Sequence, residues 1–388
     1  MIKIIKYTAA ALMAVGVASC SSADDSLKAP ASPEKYICFG VPEINVDATV
    51  DDFADSPRSR AGHLTNALDA FQVWGFCAPN DLSGNKNTQV VDQAWNDKSM
   101  FFTTKPDVFE NQTITVTNGF TDYSGGRLTW DENAEARYSF VGAYTPSGSF
   151  EMESGSVTVG SEHGPRLKFT MPRASSDISA ISTELYPADQ PDALVAARFN
   201  HQQADGRVDL SFFHFMTGLR FKFHNHTADK DLVIKRVTFR GVFHREATFD
   251  FTKDKPVMTV AGTYAGTFVL FDSAAGQTQT ISHGTADYMG GSESPVTFLM
   301  LPNPDGTIEA DGKFTLGSNK EIRITYSLGG GPDKTFIHGD NFTLNYTPQP
   351  NTLHTAHFNF VGDDFVVFFQ ADDEKNWQNG SDNDVIIH

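Results

Sequence analysis

Short segments in which apolar and polar residues alternate recur along almost the whole chain, and this period of two constrains the fold more than any other feature. Alternation over four to eight residues is the pattern of half-buried β-strands. No long segment has the 3.6-residue period of a helix, although residues 176–186 are long enough for a short one. Many short strands separated by turn residues are typical of sandwiches and barrels. The predicted strands include 70–76, 113–116, 138–144, 156–159, 208–212, 219–223, 232–239, 266–271, 296–301, 322–326, 355–360 and 365–369.

The strands fall into two series that meet around residues 195–207. The chain has 388 residues, whereas single domains usually have about 100–200. Its 32 Phe residues and its 20% of charged residues indicate a folded core and not a disordered chain. We therefore predict two β domains, one over residues 61–206 and one over residues 207–388.

The charge and the cysteine content exclude two classes of protein. The chain has 30 basic and 48 acidic side chains, a formal net charge of −18, which repels the phosphates of nucleic acids. We therefore expect no nucleic-acid partner. Three cysteines in a chain of this length, one of them close to the start, do not supply a disulfide framework.

Residues 1–20 have the pattern of a lipoprotein signal peptide. Lys3 and Lys6 precede an apolar stretch that is too short to span a bilayer. The stretch ends in Val-Ala-Ser-Cys, which looks like a bacterial lipobox whose Cys20 thiol accepts diacylglycerol. Together with further acyl chains such as palmitate, this lipid would hold the protein at the outer membrane. The alternative is a plain secretory signal with a chance cysteine; in either case we expect export.

Residues 21–60 are predicted to form a tether and a removable strand. Ile37, Phe39 and Val41 lie on one face of a period-two strand. An acidic, Pro- and Gly-containing stretch follows and carries Arg58 and Arg60, and exposed segments of this composition are where proteases cut. The alternative is that the two arginines only make a surface loop soluble. The acidic residues just after Cys20 are similar to a tag that sends some Bacteroidales lipoproteins to the cell surface.

Several motifs along the chain, in this order, resemble the fimbrillin family, the lipoprotein-derived pilus subunits of Bacteroidales that include the Mfa-like proteins. The lipobox, the short strand and the Arg-Ala junction come first. The motifs that follow are Phe71-Gln72-Val73-Trp74, Trp130, residues 138–146, Asp192 to Ala197, residues 208–223, Phe298 to Pro302 and residues 355–360. The resemblance covers nearly the whole chain.

The resemblance implies two transthyretin-like β-sandwich domains in tandem and a subunit of a cell-surface fimbrium. It also implies maturation by an Arg-specific protease, with Arg60 favoured over Arg58 because Arg-Ala is the junction typical of the family. Cleavage would free the strand that carries Ile37, Phe39 and Val41, and a strand of another fimbrial subunit would fill the groove by donor-strand exchange. The uncut protein would stay capped and monomeric.

The C-terminal end departs from what a shaft subunit should offer. The donor strand would be 365–369 or 384–388, but the final apolar run is only three residues long and follows an acidic segment. We therefore expect a shaft, tip or accessory subunit, or a lipid-retaining anchor that is never cut.

We expect no enzymatic activity, no cofactor and no metal ion. His224 with His226, and His354 with His357, lack a third ligand at the spacing that zinc sites use, and His214 is interpreted as a structural histidine. Cys38 and Cys77 are interpreted as buried core residues, with a disulfide bond between them left open. Trp74, Trp95, Trp130 and Trp377 leave open a second reading, a surface carbohydrate-binding lipoprotein with a host or glycan ligand, although Trp74 and Trp130 fit core positions better. A hydrolase is the weakest alternative.

Overall fold

The structure is a computed structural model. It describes residues 35–44, 68–78, 105–132, 136–153, 166–172, 184–185, 191–251, 257–276, 279–291, 295–302, 314–316, 320–338, 342–344, 352–361, 364–371 and 378–379.

The described residues are almost entirely β-strand, which confirms the predicted all-β fold. The helical elements among them are two short 3-10 turns, Gln203–Asp205 and Ser273–Ala275, and none of the described helices is long and apolar enough to cross a membrane. The strands are β1 (Glu43–Ile44), β2 (Ala70–Ala78), β3 (Phe109–Thr117), β4 (Phe120–Tyr123), β5 (Arg137–Tyr144), β6 (Ser149–Glu153), β7 (Arg166–Thr170), β8 (Glu184–Leu185), β9 (Leu194–His201), β10 (Ser211–His214), β11 (Thr217–Asn225), β12 (Leu232–Asp250), β13 (Val257–Asp272), β14 (Gln279–Ile281), β15 (Ala286–Tyr288), β16 (Thr297–Met300), β17 (Phe314–Leu316), β18 (Lys320–Leu328), β19 (Lys334–His338), β20 (Phe342–Leu344), β21 (Thr352–Val361), β22 (Asp364–Ala371) and β23 (Gln378–Asn379).

The N-terminal part of the chain builds a seven-stranded sheet in the order β1-β10-β9-β5-β2-β3-β4. Its two faces belong to different hydrophobic clusters. Phe71 and Val73 pack in one cluster, and Trp74 and Phe76 pack in the other. The sheet is therefore buried on both faces along β2. The register of β2 against β3 shifts between Val73 and Gly75, which is a β-bulge.

A long hairpin of β12 and β13, 19 and 16 residues, is the centre of an eight-stranded sheet. One end of β12 pairs with β18 and β14, and the other end pairs with β7, which in turn pairs with β6. The hairpin therefore joins strands from the two halves of the sequence in one sheet.

The C-terminal sheet has the order β15-β11-β21-β22, with β16 paired to β11 and β23 paired to β21. β11 and β21 run parallel over nine register pairs, and their inward residues Phe221, Phe223, Phe358 and Phe360 are fully buried.

Strand pairing crosses residue 207, where the sequence suggested a division of the chain. β10 follows residue 207 but pairs with β9 in the N-terminal sheet, and β7 precedes it but pairs with β12. The division into residues 61–206 and 207–388, and the transthyretin-like topology, therefore stay predictions.

Candidate functional site

The candidate site is the place where residues 35–44, which we call the N-terminal segment, cover one face of the N-terminal sheet. Ile37 and Phe39 are 1% and 3% exposed. Both belong to the hydrophobic cluster that contains Phe71 and Val73, together with Phe140 from the sheet. Burial of one large apolar side chain stabilises a fold by roughly 1.5–3 kcal/mol, so the segment is part of the core.

The backbone of the segment is hydrogen-bonded on two sides. On one side the Ile37 amide donates to the Leu128 carbonyl at 2.9 Å and the Trp130 amide donates to the Lys35 carbonyl at 3.2 Å. Tyr36 and Thr129 form an antiparallel bridge there. The segment thus acts as an added strand along residues 128–130.

On the other side the segment runs parallel to the chain that leads into β10. The Gly40 amide donates to the Val208 carbonyl at 2.9 Å, and the Val208 amide donates to the Cys38 carbonyl at 2.8 Å. Further along, the Glu43 amide donates to the Leu210 carbonyl at 3.2 Å, and β1 pairs with the first half of β10. Removal of the segment would leave donors and acceptors unpaired on both sides.

Two side chains of β4 also hold the segment. The Thr121 hydroxyl donates to the Phe39 carbonyl. The Tyr123 hydroxyl donates to the Ile37 carbonyl at 2.9 Å and accepts from the Leu128 amide at 3.0 Å. Burial raises the pKa of Tyr123, which is already above physiological pH in an ordinary tyrosine, so this hydroxyl is protonated and able to donate.

Aromatic rings surround Phe39. Its ring centroid lies 5.6 Å from that of Phe109, 5.7 Å from Phe140, 6.2 Å from Phe71 and 6.5 Å from Tyr123. Three of these four contacts are edge-to-face, which is a favoured arrangement for aromatic pairs. Phe39 is therefore the main anchor of the segment.

Val41 differs from the expectation that it fills the groove with Ile37 and Phe39. It is 44% exposed. The alternation fails because the register slips by one residue between Phe39, which pairs with Val208, and Glu43, which pairs with Ser211. Pro42 lies in this interval and has no amide hydrogen to donate. A continuous strand would have kept Val41 on the buried face.

Gly40 passes very close to Asp209. A Cβ atom at this glycine would lie 1.9 Å from Asp209 Oδ1, and that carboxylate is held by Arg207 Nε at 2.9 Å. A larger residue here would force the exposed Asp209 side chain to rotate away from Arg207, so the position favours a small residue in any strand that occupies the groove in the same way.

Sequence reasoning missed β4 as a partner of the segment, although a signal was present. Asn118 and Gly119 both have positive φ, 52° and 79°, and they connect β3 and β4. Asn-Gly between two alternating runs is a strong signal for a two-residue hairpin turn. That turn brings Thr121 and Tyr123 to the segment.

Several predicted site residues lie outside the described residues. These are the lipid attachment site Cys20, the cleavage sites Arg58 and Arg60, the tryptophans Trp95 and Trp377, and the tail 384–388. The other donor candidate, 365–369, is in β22, which pairs with β21 in its own sheet.

Cys77 does not bond to Cys38. Cys77 is a free thiol, so the Cys38–Cys77 disulfide that the sequence left open is not formed. Burial raises the pKa of Cys77 to about 11, which makes it a poor nucleophile at neutral pH. Cys38 is buried, with 4% exposure.

The histidines occupy two structural settings. His214 is buried, and its Nδ1 lies 2.7 Å from Asp192 Oδ1, which agrees with a structural histidine. His224 Nε2 lies 2.7 Å from His357 Nδ1 across β11 and β21. Burial, with added repulsion from neighbouring cationic groups, lowers the pKa of both to about 4, and burial lowers that of His354 to about 3.

Within the described ranges, no three His, Cys, Asp or Glu side chains are grouped so that they could hold a metal ion. Trp74 and Trp130 are buried at 2% and 5% exposure, which confirms that they are core residues and removes them from a possible sugar-binding platform.

The sequence matches the profile of the family described as fimbrillin-like over residues 79–359. No curated protein matches it at a significant level. Among solved structures, a fimbrial protein from Bacteroides vulgatus is 11% identical, with 77% of this chain and 91% of that chain covered and a TM-score of 0.49. A fimbrial assembly protein from Parabacteroides distasonis is 9% identical, with 81% and 91% covered and a TM-score of 0.30. The tip fimbrial protein Mfa3 from Porphyromonas gingivalis is 8% identical, with 87% and 98% covered and a TM-score of 0.34.

Proposed function

Because the chain belongs to the fimbrillin-like family, we propose that it is a structural subunit of a cell-surface fimbrium that accepts a strand from another subunit after its N-terminal segment is removed. The observation that carries the proposal is the burial of Ile37 and Phe39 against the sheet. A segment that precedes the proposed cleavage site and yet forms part of the core is suited to act as a temporary strand.

Hydrophobic burial sets the scale of the exchange. Loss of Ile37 and Phe39 would expose an apolar face whose refilling is worth about 3–6 kcal/mol before ordering costs. The carbonyls of Leu128, Val208 and Leu210 would lose their donors at the same time. Unpaired edge groups of this kind are satisfied by an added strand.

Cleavage after Arg60, or after Arg58, by an Arg-specific protease would release the segment, because it lies entirely on the N-terminal side of both arginines. The lipid on Cys20 is on that side as well, so the same cut would detach the core from the outer membrane. An uncut chain would remain a membrane anchor. In either form the role is structural and not enzymatic.

The position of β22 favours an accepting subunit, either a tip or an accessory protein. All eight residues of β22 are paired with β21. Donation of 365–369 to another subunit would therefore break the pairing between these two strands. The other donor candidate, 384–388, has a short apolar run, residues 385–387.

Limited digestion of the purified protein with an Arg-specific protease tests the proposal. We expect a stable core that begins at Ala61 and loses residues 35–44 when it is passed through a sizing column, as measured by mass spectrometry. The control is Arg58→Gln with Arg60→Gln, which should keep the segment attached.

A cut core that retains residues 35–44 after the column would contradict the proposal. Assembly of the cut core into long oligomers without another subunit would identify a shaft subunit. A cut core that stays monomeric but captures an added strand would identify a tip or accessory subunit.

A further inference from the structure

A second concave site lies in the N-terminal sheet. It is a cavity of about 590 Å³ where the start of β2, the third residue of β3 and the turn between β5 and β6 meet. This volume is within the 300–1,000 Å³ of typical small-molecule sites. It involves neither residues 35–44 nor the chain that pairs with them, so it goes beyond the strand exchange proposed above.

Three planar polar side chains line this cavity and form no hydrogen bond or ion pair with other described residues. Asp69, Gln72 and Asn111 all border it. Within the described part of the chain, their side-chain oxygens and nitrogens take part in no hydrogen bond or ion pair. A carboxylate and two amides that meet at one cavity provide several acceptors and donors for a polar ligand.

Asn111 reaches the cavity because of a backbone irregularity. Val73 pairs with Gln112 and Gly75 pairs with Phe109, so two residues of β3, Glu110 and Asn111, oppose Trp74 alone. Asn111 has a φ of 52°, which is a left-handed backbone conformation that residues other than glycine adopt at a cost. Bulges often redirect side chains next to functional sites. Residues with a strained backbone conformation, such as a positive φ, are also concentrated at functional sites.

The rest of the lining is partly aromatic and partly hydroxylated. The half-buried Tyr144 and the buried Phe150 border the cavity, and Thr145 and Ser149 add hydroxyl groups. The combination of planar polar groups with an aromatic ring matches a sugar, which has vicinal hydroxyls at its edge and apolar C–H groups on its faces.

We propose that this cavity binds one or two neutral hexose units of a glycan. Asp69, Gln72 and Asn111 would bind the hydroxyl groups, and Tyr144 would contact a ring face. Acidic sugars are disfavoured because Asp69 borders the cavity without a basic partner among the described residues and the chain carries a net charge of −18. The protein would then supply adhesion as well as a structural unit.

Isothermal calorimetry with single sugars tests the site. The uncut protein, expressed without the lipid, is titrated with glucose, galactose, mannose, N-acetylglucosamine, lactose and cellobiose, and with sialic acid as the acidic probe. We expect saturable binding of at least one neutral sugar and no binding of sialic acid. Binding of sialic acid alone, or of no sugar at all, would overturn the proposal.

Two asparagines provide a matched pair of variants. Asn111→Gly removes the amide while glycine tolerates the left-handed backbone, and Asn118→Gly makes the same change at φ of 52° in the β3–β4 turn, away from the cavity. We expect Asn111→Gly and Asp69→Ala each to weaken binding by about tenfold, the effect of one or two lost hydrogen bonds. Asn118→Gly should leave the affinity unchanged.

The thermal unfolding midpoint of each variant separates a lost contact from a lost fold. Unchanged affinity in both Asn111→Gly and Asp69→Ala, with native unfolding midpoints, would show that any sugar binds elsewhere and would overturn the assignment. Strand exchange would be unaffected by that result, because residues 35–44 do not border the cavity.

Discussion

The N-terminal segment and β22 lie near opposite ends of the described chain, and both are added to a sheet, but they are held in different ways. β22 forms eight consecutive register pairs with a single neighbour, β21. The N-terminal segment makes single bridges at Tyr36 and Phe39 and a two-residue pairing at β1, divided between two partners. A continuous ladder opens as a unit, whereas short separate pairings open at lower cost.

The difference shows how one chain can contain a permanent strand and a replaceable one. The N-terminal segment depends mainly on two side chains, Ile37 and Phe39, and on main-chain hydrogen bonds that any strand can provide. A different strand with the same two anchors and a small residue after the second would reproduce all of these contacts. Ile37-Cys38-Phe39-Gly40 is therefore the pattern we expect in a replacement strand.

The largest effect should come from the main anchor of the segment. Phe39→Ala should reduce the free energy of unfolding by about 3–5 kcal/mol, because it removes a buried ring that four aromatic rings contact. Urea denaturation measures this change. The control is Val41→Ala on the same segment, which should change stability by less than about 0.5 kcal/mol because Val41 is exposed. Equal effects of the two variants would mean that the segment is not anchored through Phe39.

The next effect should come from the close approach at Gly40. Gly40→Val should destabilise the segment by about 1–2 kcal/mol, because its side chain would displace the Asp209 carboxylate from Arg207. The rate at which a protease cleaves the segment in the uncut protein measures how often the segment detaches from the sheet. Asp209→Gly in the same chain should restore much of the resistance of the segment to proteolysis. A double variant that is cleaved as fast as Gly40→Val alone would argue against the clash.

The C-terminal sheet should be the part that responds to acid. His224 and His357 have pKa values lowered to about 4 by burial, whereas an unfolded histidine has a pKa of about 6.5. Below pH 6.5 the unfolded chain binds protons that the folded chain does not, so stability should fall as the pH drops from 6.5 to 4. His354, whose pKa burial lowers to about 3, should extend the fall to that pH.

The loss should be about 1–2 kcal/mol for the pair, after allowance for partial exposure. Urea midpoints at pH 7 and pH 4.5 measure it. His357→Gln removes one of the two groups and should reduce the pH dependence. His283→Gln, an exposed histidine paired at 3.9 Å with Asp231, is the control and should not reduce it. An unchanged slope in His357→Gln would contradict the assignment.

The smallest effect should come from the hydroxyl that joins the segment to residue 128. Tyr123→Phe removes one donor and one acceptor, to the Ile37 carbonyl and from the Leu128 amide, and should cost about 1 kcal/mol. Hydrogen exchange at the Ile37 amide should speed up about fivefold. Tyr36→Phe, at an exposed tyrosine, should leave that exchange rate unchanged.

Much of the local structure could be predicted from the sequence, because alternation reports which residues face a core. The strands and the burial of Ile37 and Phe39 follow from that pattern. The exposure of Val41 could not be predicted, because it depends on a one-residue slip in the register between Phe39 and Glu43. Long-range pairing is also absent from local patterns. The contact between His224 and His357 joins residues 133 positions apart, and the pairing of β7 with β12 crosses the predicted boundary.

The central claim is that the N-terminal segment occupies a groove that another strand can fill, and a binding experiment on the cut core tests it most directly. A synthetic peptide of residues 35–44 and the same peptide with Phe39→Asp are titrated into the core that begins at Ala61. We predict saturable binding of the native peptide and none of the Phe39→Asp peptide. Equal binding of both peptides, or of neither to a folded core, would contradict the account.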